Sequence, residues 1–335
     1  MYNKGLLHTD VVRQHTVPRF LLENFAISSE KKKRGKQVFA LNKRTRQVMK
    51  MNVNDATVHS RFYNLHNQPE TASLESLLSL YEGSASTVIR KLISTKSIQG
   101  LSEEERSVLA RFVTVQHLRT RGEYENQKHM AQGLYNTLKL KGIICEELEH
   151  YFSDEVFELN TKSNFLDQIA GCDFETSIIL SKEWLLFETT PDRPFYISDN
   201  PVTMYNEKEF TDRSNTGIAL PGIQIYLPLS TTLVLAMVCP SLNDKLREER
   251  ELIYKYIVSH RGGEQSNVFQ RLSFLKDLLD NHLVSIEDWR LNHLNSLQVW
   301  RAEQFIFSSI EDFERVKNLI DDCPELVDGP RSVVS

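Results

Sequence analysis

The sequence predicts a single α+β domain over 1–335, predominantly helical with a small antiparallel sheet. Three observations predict it. Apolar residues recur at helical spacing through much of 70–181 and 243–322. Between these segments, 184–240 carries the short β-rich runs "EWLLFET", "PFYISD", "IQIYLPLS" and "TLVLAMV", punctuated by Pro, Gly, Asn or Asp. Helices and strands are therefore segregated rather than alternating, which argues against a doubly wound fold. No repeat or low-complexity linker divides the chain.

The elements follow in order. Residues 1–65 supply an N-terminal helix and a hairpin. "HTVPRFLLENFA" reads as a short helix, with Pro18 at its first position and Leu21, Leu22 and Phe25 as its apolar stripe. "KQVFALNKRTRQVMKMN" reads as two alternating runs around a polar turn, and "SRFYNL" as a short extended piece. The helical layer of 70–181 begins with Leu74, Leu77, Leu78, Tyr81, Ala85, Val88 and Leu92 at helical spacing. A helix over 102–121 opens on a capping box, Ser102 with Glu105, and turns Val108, Leu109, Phe112 and Val113 inward. Further helices are expected over 122–141, 145–160 and 164–181. After the strands of 184–240 come helices over 243–259, 265–282 and 286–304, a brief "FIF" strand, and a helix from about 309 to 322.

Composition narrows the function classes. A 335-residue chain with 40% apolar and 25% charged residues has the make-up of a soluble globular protein. No run approaches the roughly 18–20 apolar residues that cross a bilayer, and the first residues lack an apolar secretory core. Cys145, Cys172, Cys239 and Cys323 are scattered, forming neither a disulfide framework nor a metal knuckle, so reduced thiols and a cytoplasmic location are expected. The net charge of −5 hides a local excess: residues 30–50 hold nine Lys or Arg against Glu30 alone. Lys31, Lys32, Lys33, Arg34, Lys43 and Arg44 of this segment are the expected contacts to a nucleic acid or nucleotide; the competing reading is a solvated loop.

Four polar groups stand out. His15 and Arg19 flank the start of the first helix, where free N–H groups favour a phosphate or carboxylate. Ser198, Asp199 and Asn200 end a strand before Pro201, which holds Asn200 extended and lets these side chains reach a cavity. Gln116 and Arg119 continue the apolar face of helix 102–121 and need partners there; Asp199 and Glu75 are the expected partners of Arg119. Asn295 and Gln298 are neighbours on helix 286–304. Each group has a structural alternative: a turn, a surface ion pair, or a buried network that specifies the fold. Arg111–His117 fits an Arg-x(4–6)-His pattern of helical ribonucleases, but so does Arg61–His66, and so short a pattern recurs by chance. No metalloprotease, phosphate-loop, dinucleotide or serine-hydrolase motif occurs.

"HTVPRFLLENFA" with its hairpin, "LARFVTVQHLRTR", "PFYISDNPV", "YLPLS" and "LNSLQVWRAEQFIFSS" together resemble the bacterial domain-of-unknown-function family 4238 over about 13–309. The most specific pieces are H-x-V-P-x-x-x-L-x-x-F and S-D-N-P. The resemblance implies that His15, Pro18, Gln116, Arg119, Asp199, Asn200, Pro201 and Asn295 are shared polar or turn positions. It carries no activity.

The leading expectation is a phosphodiester hydrolase acting on nucleic acid or nucleotides, in a toxin or phage-defence setting. His15, Asp199, Asn200 and Arg119 are its expected catalytic residues, and Arg19, Glu75, Gln116 and Asn295 its substrate contacts. Asp199 would orient His15 or bind a divalent metal through oxygen. The competing expectation is a non-catalytic sensor that binds a nucleotide or another anion in the same pocket.

Overall fold

A computed structural model describes residues 8–27, 35–65, 72–144, 153–208, 216–259 and 266–332. It corrects the expected architecture. In place of one small antiparallel sheet there are three, of two, five and four strands, and the five-stranded one is mixed.

The chain enters through β1 (Arg13–His15) and a four-residue helix α1 (Arg19–Leu22), which tightens into a 3-10 turn over Glu23–Phe25. Pro18 is the N-cap of α1 rather than its first helical residue. The predicted hairpin forms as β2 (Gln37–Asn42) and β3 (Val48–Asn52). Asn42 closes it by accepting through Oδ1 from the backbone N–H groups of Arg44 and Thr45. The expected extended piece lies slightly earlier, at β4 (Val58–Ser60), which pairs antiparallel with β1 to make the two-stranded sheet.

Four helices described next are α2 (Glu75–Thr95), α3 (Glu103–Leu118), α4 (Arg121–Leu140) and α5 (Asp154–Ala170), followed by α6 (Asp173–Leu180). The capping box of α3 forms as read: Ser102 Oγ accepts from the Glu105 N–H and Glu105 reaches back to the Ser102 N–H. Part of the helix expected over 145–160 lies outside the described residues.

The strands β5 (Glu183–Glu188), β7 (Thr203–Asn206), β8 (Ile223–Ser230) and β9 (Leu233–Val238) form an antiparallel array in the order β5-β9-β8-β7. The next helices are α7 (Pro240–Ser259) and α8 (Ser266–Lys276), the latter running into a π-helical turn over Asp277–Asn281. β10 (Leu283–Ser285) then joins the outer edge of β5 in parallel, Leu283 opposite Leu186. A parallel partner needs a long crossover, and these helices provide it.

The four-stranded sheet is built from distant pieces. After α9 (Asp288–Arg301), β11 (Phe305–Ser308) pairs with β2 on one side and with the two-residue β6 (Ile197–Ser198) on the other. Helix α10 (Glu314–Asp322) follows. β6 and β7 are adjacent in sequence but belong to different sheets, so Asp199-Asn200-Pro201 is the segment on which the chain changes sheets. The main core lies between the five-stranded sheet and helices α2, α3 and α9. No helix among the described residues is long and apolar enough to cross a membrane.

Candidate functional site

Arg119, at the C-cap of α3, organises the site. Its side chain is 1% exposed. Nε donates to the Tyr63 hydroxyl at 3.2 Å, Nη1 to Glu82 Oε1 at 2.6 Å and Nη2 to the His15 carbonyl at 2.6 Å. The guanidinium also lies 5.3 Å from the Tyr63 ring centroid. Burial lowers its affinity for the proton, but Tyr63 and Glu82 together outweigh that cost and raise it. Arg119 therefore pins β1 against α2 and is shielded from any ligand. Its carboxylate partner is Glu82, not Asp199 or Glu75; Glu82 lies two turns beyond Glu75 along α2.

β1 and the start of α2 are tied a second way. Gln14 Nε2 donates to Ser73 Oγ at 3.2 Å, and Ser73 Oγ accepts from the Glu75 N–H. His15 and Glu75 thereby line one cleft of about 520 Å³, together with Arg19 and Glu82. His15 Nε2 and Glu75 Oε2 are both buried and have no hydrogen-bond partner. The Asn54 backbone beside the ring favours the protonated form of His15. Burial holds His15 below its ordinary value; Glu82 pulls it back up, while Arg19 and Arg119 push it further down. Burial pushes Glu75 up to about 7, aided by Glu82 and opposed by Arg119. Arg19 stands at the rim, half exposed, 3.7 Å from Glu23.

The other sequence-derived candidates are elsewhere. Asp199 Oδ1 accepts from the Glu303 N–H, and Oδ2 from the N–H groups of Gln304 and Phe305, each at 2.8 Å. Its carboxylate thus shapes the turn into β11. Burial raises it to about 6, against the pull of those three N–H groups and of Lys43. It lines a separate cavity of about 280 Å³ with His59, Arg121 and Glu303. Asn200 accepts from the Thr120 hydroxyl at 2.9 Å. Its amide packs so closely on α4 that a Cβ at Gly122 would lie 2.7 Å from Nδ2, so this approach requires glycine. Gln116 donates to the Thr16 carbonyl at 3.0 Å and leaves Oε1 without a partner.

Asn295 and Gln298 hold the sheet-changing segment from one face of α9. Asn295 accepts from the Tyr196 N–H and donates to the Pro194 carbonyl. Gln298 accepts from the Ser198 N–H and hydroxyl and donates to the Pro201 carbonyl. Asn295 is 7% exposed and so belongs to the scaffold rather than to a ligand surface.

Of the expected polyanion contacts, Lys31, Lys32, Lys33 and Arg34 lie outside the described residues. Lys43 is buried: Nζ donates to the Val299 carbonyl at 3.0 Å and the Ala302 carbonyl at 2.6 Å, closing the C-terminal end of α9. Arg44 pairs with Asp328 at 2.9 Å. Two further expectations change. α1, at four residues, is too short to present the anion-binding helix terminus read from Pro18. Among the described residues, no group of three or more His, Cys, Asp or Glu is placed to hold a metal ion.

Sequence reasoning missed Glu82 and Tyr63. Glu82 was legible in principle, because it falls seven residues after Glu75 and so on nearly the same face of α2. Tyr63 had no local signal.

No curated protein and no solved structure matches this chain. The family described as "Protein of unknown function (DUF4238)" matches residues 13–312, most of the sequence, so the chain belongs to that family.

Proposed function

We propose that the cleft between β1 and α2 is an acid–base site that hydrolyses a phosphodiester in a nucleic acid or nucleotide. One observation carries the reading: His15 Nε2 and Glu75 Oε2 are desolvated without partners on two residues of one cleft. Leaving a buried polar atom unpaired costs about 1–3 kcal/mol, so a ligand that pairs with both recovers that energy. The two groups also suit opposite roles near neutral pH. His15, held neutral by burial, has a basic nitrogen to offer; Glu75, raised to about 7, retains a proton to give.

In the reaction, His15 Nε2 takes the proton of the attacking water or ribose hydroxyl as its oxygen bonds to phosphorus. Glu75 gives its proton to the leaving oxygen as the other P–O bond breaks. Arg19 pairs with the non-bridging oxygens. Arg119 neutralises Glu82, which limits repulsion of an anionic substrate.

The test is incubation of purified protein with an oligoribonucleotide, an oligodeoxyribonucleotide and a dinucleotide, with and without Mg²⁺. Turnover that falls at least about 100-fold in folded His15→Asn and Glu75→Gln variants supports the reading. Binding without turnover by the wild-type chain contradicts it and favours a sensor that uses the same cleft.

A further inference from the structure

Another cavity lies where α7, α8 and α9 cover β5, β7, β8 and β9 of the five-stranded sheet. Its volume is about 400 Å³, within the range of ligand pockets. Arg290 on α9 projects among its walls. The guanidinium lies 5.2 Å from the Phe187 ring centroid, 5.5 Å from Phe274 and 4.9 Å from Trp289. Rings hold this cation, yet among the described residues its guanidinium makes no hydrogen bond or ion pair. Burial accordingly holds its proton affinity below that of an ordinary arginine. His293, one turn along α9, stands edge-to-face with Tyr205 at 4.6 Å. The Tyr226 hydroxyl donates to Gln224 Oε1, and the Gln224 amide N–H groups have no partner among the described residues. Charge is one-sided: Lys245, Arg271 and Arg290 line the cavity against Glu207 alone, and Arg271 is already engaged by Glu249.

Aromatic faces against a guanidinium leave its N–H edge as its unfilled valence, and that edge matches two oxygens of a carboxylate or phosphate. The surrounding rings favour a flat apolar body stacked beside it. We propose that this cavity binds a small organic anion, its planar aromatic body among the rings and its carboxylate or phosphate on the N–H edge of Arg290. The site shares no lining residue with the His15–Glu75 cleft, so the two stand or fall separately.

Calorimetric titration tests it with two anions, 2-naphthoate and AMP, and their neutral counterparts, 2-naphthamide and adenosine. At least one anion is expected to bind with a Kd below about 1 mM. Its neutral counterpart, and the Arg290→Met variant, should bind about tenfold more weakly or worse. Naphthoate alone identifies a carboxylate ligand, AMP alone a nucleotide. Leu246→Trp, which fills the cavity and leaves Arg290 intact, should abolish binding, and it carries the test if Arg290→Met does not fold. Failure of both anions to bind the wild-type chain overturns the proposal. So does unchanged affinity in folded Arg290→Met or Leu246→Trp.

Discussion

Nη2 of Arg119 donates to the backbone carbonyl of His15 at 2.6 Å, across 104 residues of sequence. The same guanidinium holds Glu82, so one buried cation fixes the strand that carries His15 against the helix that carries Glu75. Arg119→Met leaves Glu82 and the His15 carbonyl without their donor. We expect a loss of about 3 kcal/mol in urea unfolding, at the low end for a broken buried pair because Glu82 is partly exposed. Arg119→Lys should recover less than half, since one ammonium cannot span the three directions that the planar fork serves.

Glu75 makes stability pH-dependent in a defined direction. Its carboxyl holds the proton up to about 7 in the folded chain, against 4.5 ordinarily. Between these values the folded state binds more protons than the unfolded one, so this contribution is full below about 4.5 and is lost as pH rises through 7. Glu75→Gln removes the dependence. The stability of the variant relative to wild type should rise by up to about 3 kcal/mol between pH 4 and pH 8, measured by denaturant unfolding at four pH values. A difference independent of pH contradicts this assignment.

We expect Asp199 to act on structure rather than on a substrate, because three backbone N–H groups occupy its carboxylate. Asn at this position retains a single acceptor oxygen for three N–H groups. Asp199→Asn should cost about 2 kcal/mol in unfolding free energy. Turnover by the fraction that remains folded should be unchanged, which separates Asp199 from His15 and Glu75.

Lys43 gives the matching result for the basic segment. Its ammonium satisfies carbonyls at the end of α9 instead of meeting solvent. Lys43→Met should lower stability by about 2 kcal/mol and leave the salt dependence of oligonucleotide binding unaltered. A reduced salt slope would show instead that Lys43 reaches phosphate.

What the sequence disclosed was local. The Ser102–Glu105 box is spelled within four residues, and the β2–β3 alternation within seventeen, so both were readable. Asn295 and Gln298 were recognisable as helix neighbours, but their role required knowing that 194–201 passes beside α9. β10 was obscured because three residues carry no period, and β11, though read as the "FIF" strand, gave no sign of its partner; Leu283 pairs with Leu186 and Phe305 with Asn42, each far away in sequence. That is why one small antiparallel sheet was expected where three exist. The same limit applies to the site. His15, Arg19, Glu75 and Arg119 were identified as chemistry-bearing and are neighbours. Asp199 was grouped with them because a strand end before Pro201 gives no sign of which sheet receives it.

The pairing of His15 with Glu75 is tested most directly by the pH profile of kcat/KM on whichever phosphodiester the chain cleaves. The account predicts a bell: the acid limb, set by His15 below its ordinary value, is lost in His15→Asn, and the limb near 7, set by Glu75, is lost in Glu75→Gln. A profile that both variants reproduce at wild-type rates would place the chemistry outside this cleft.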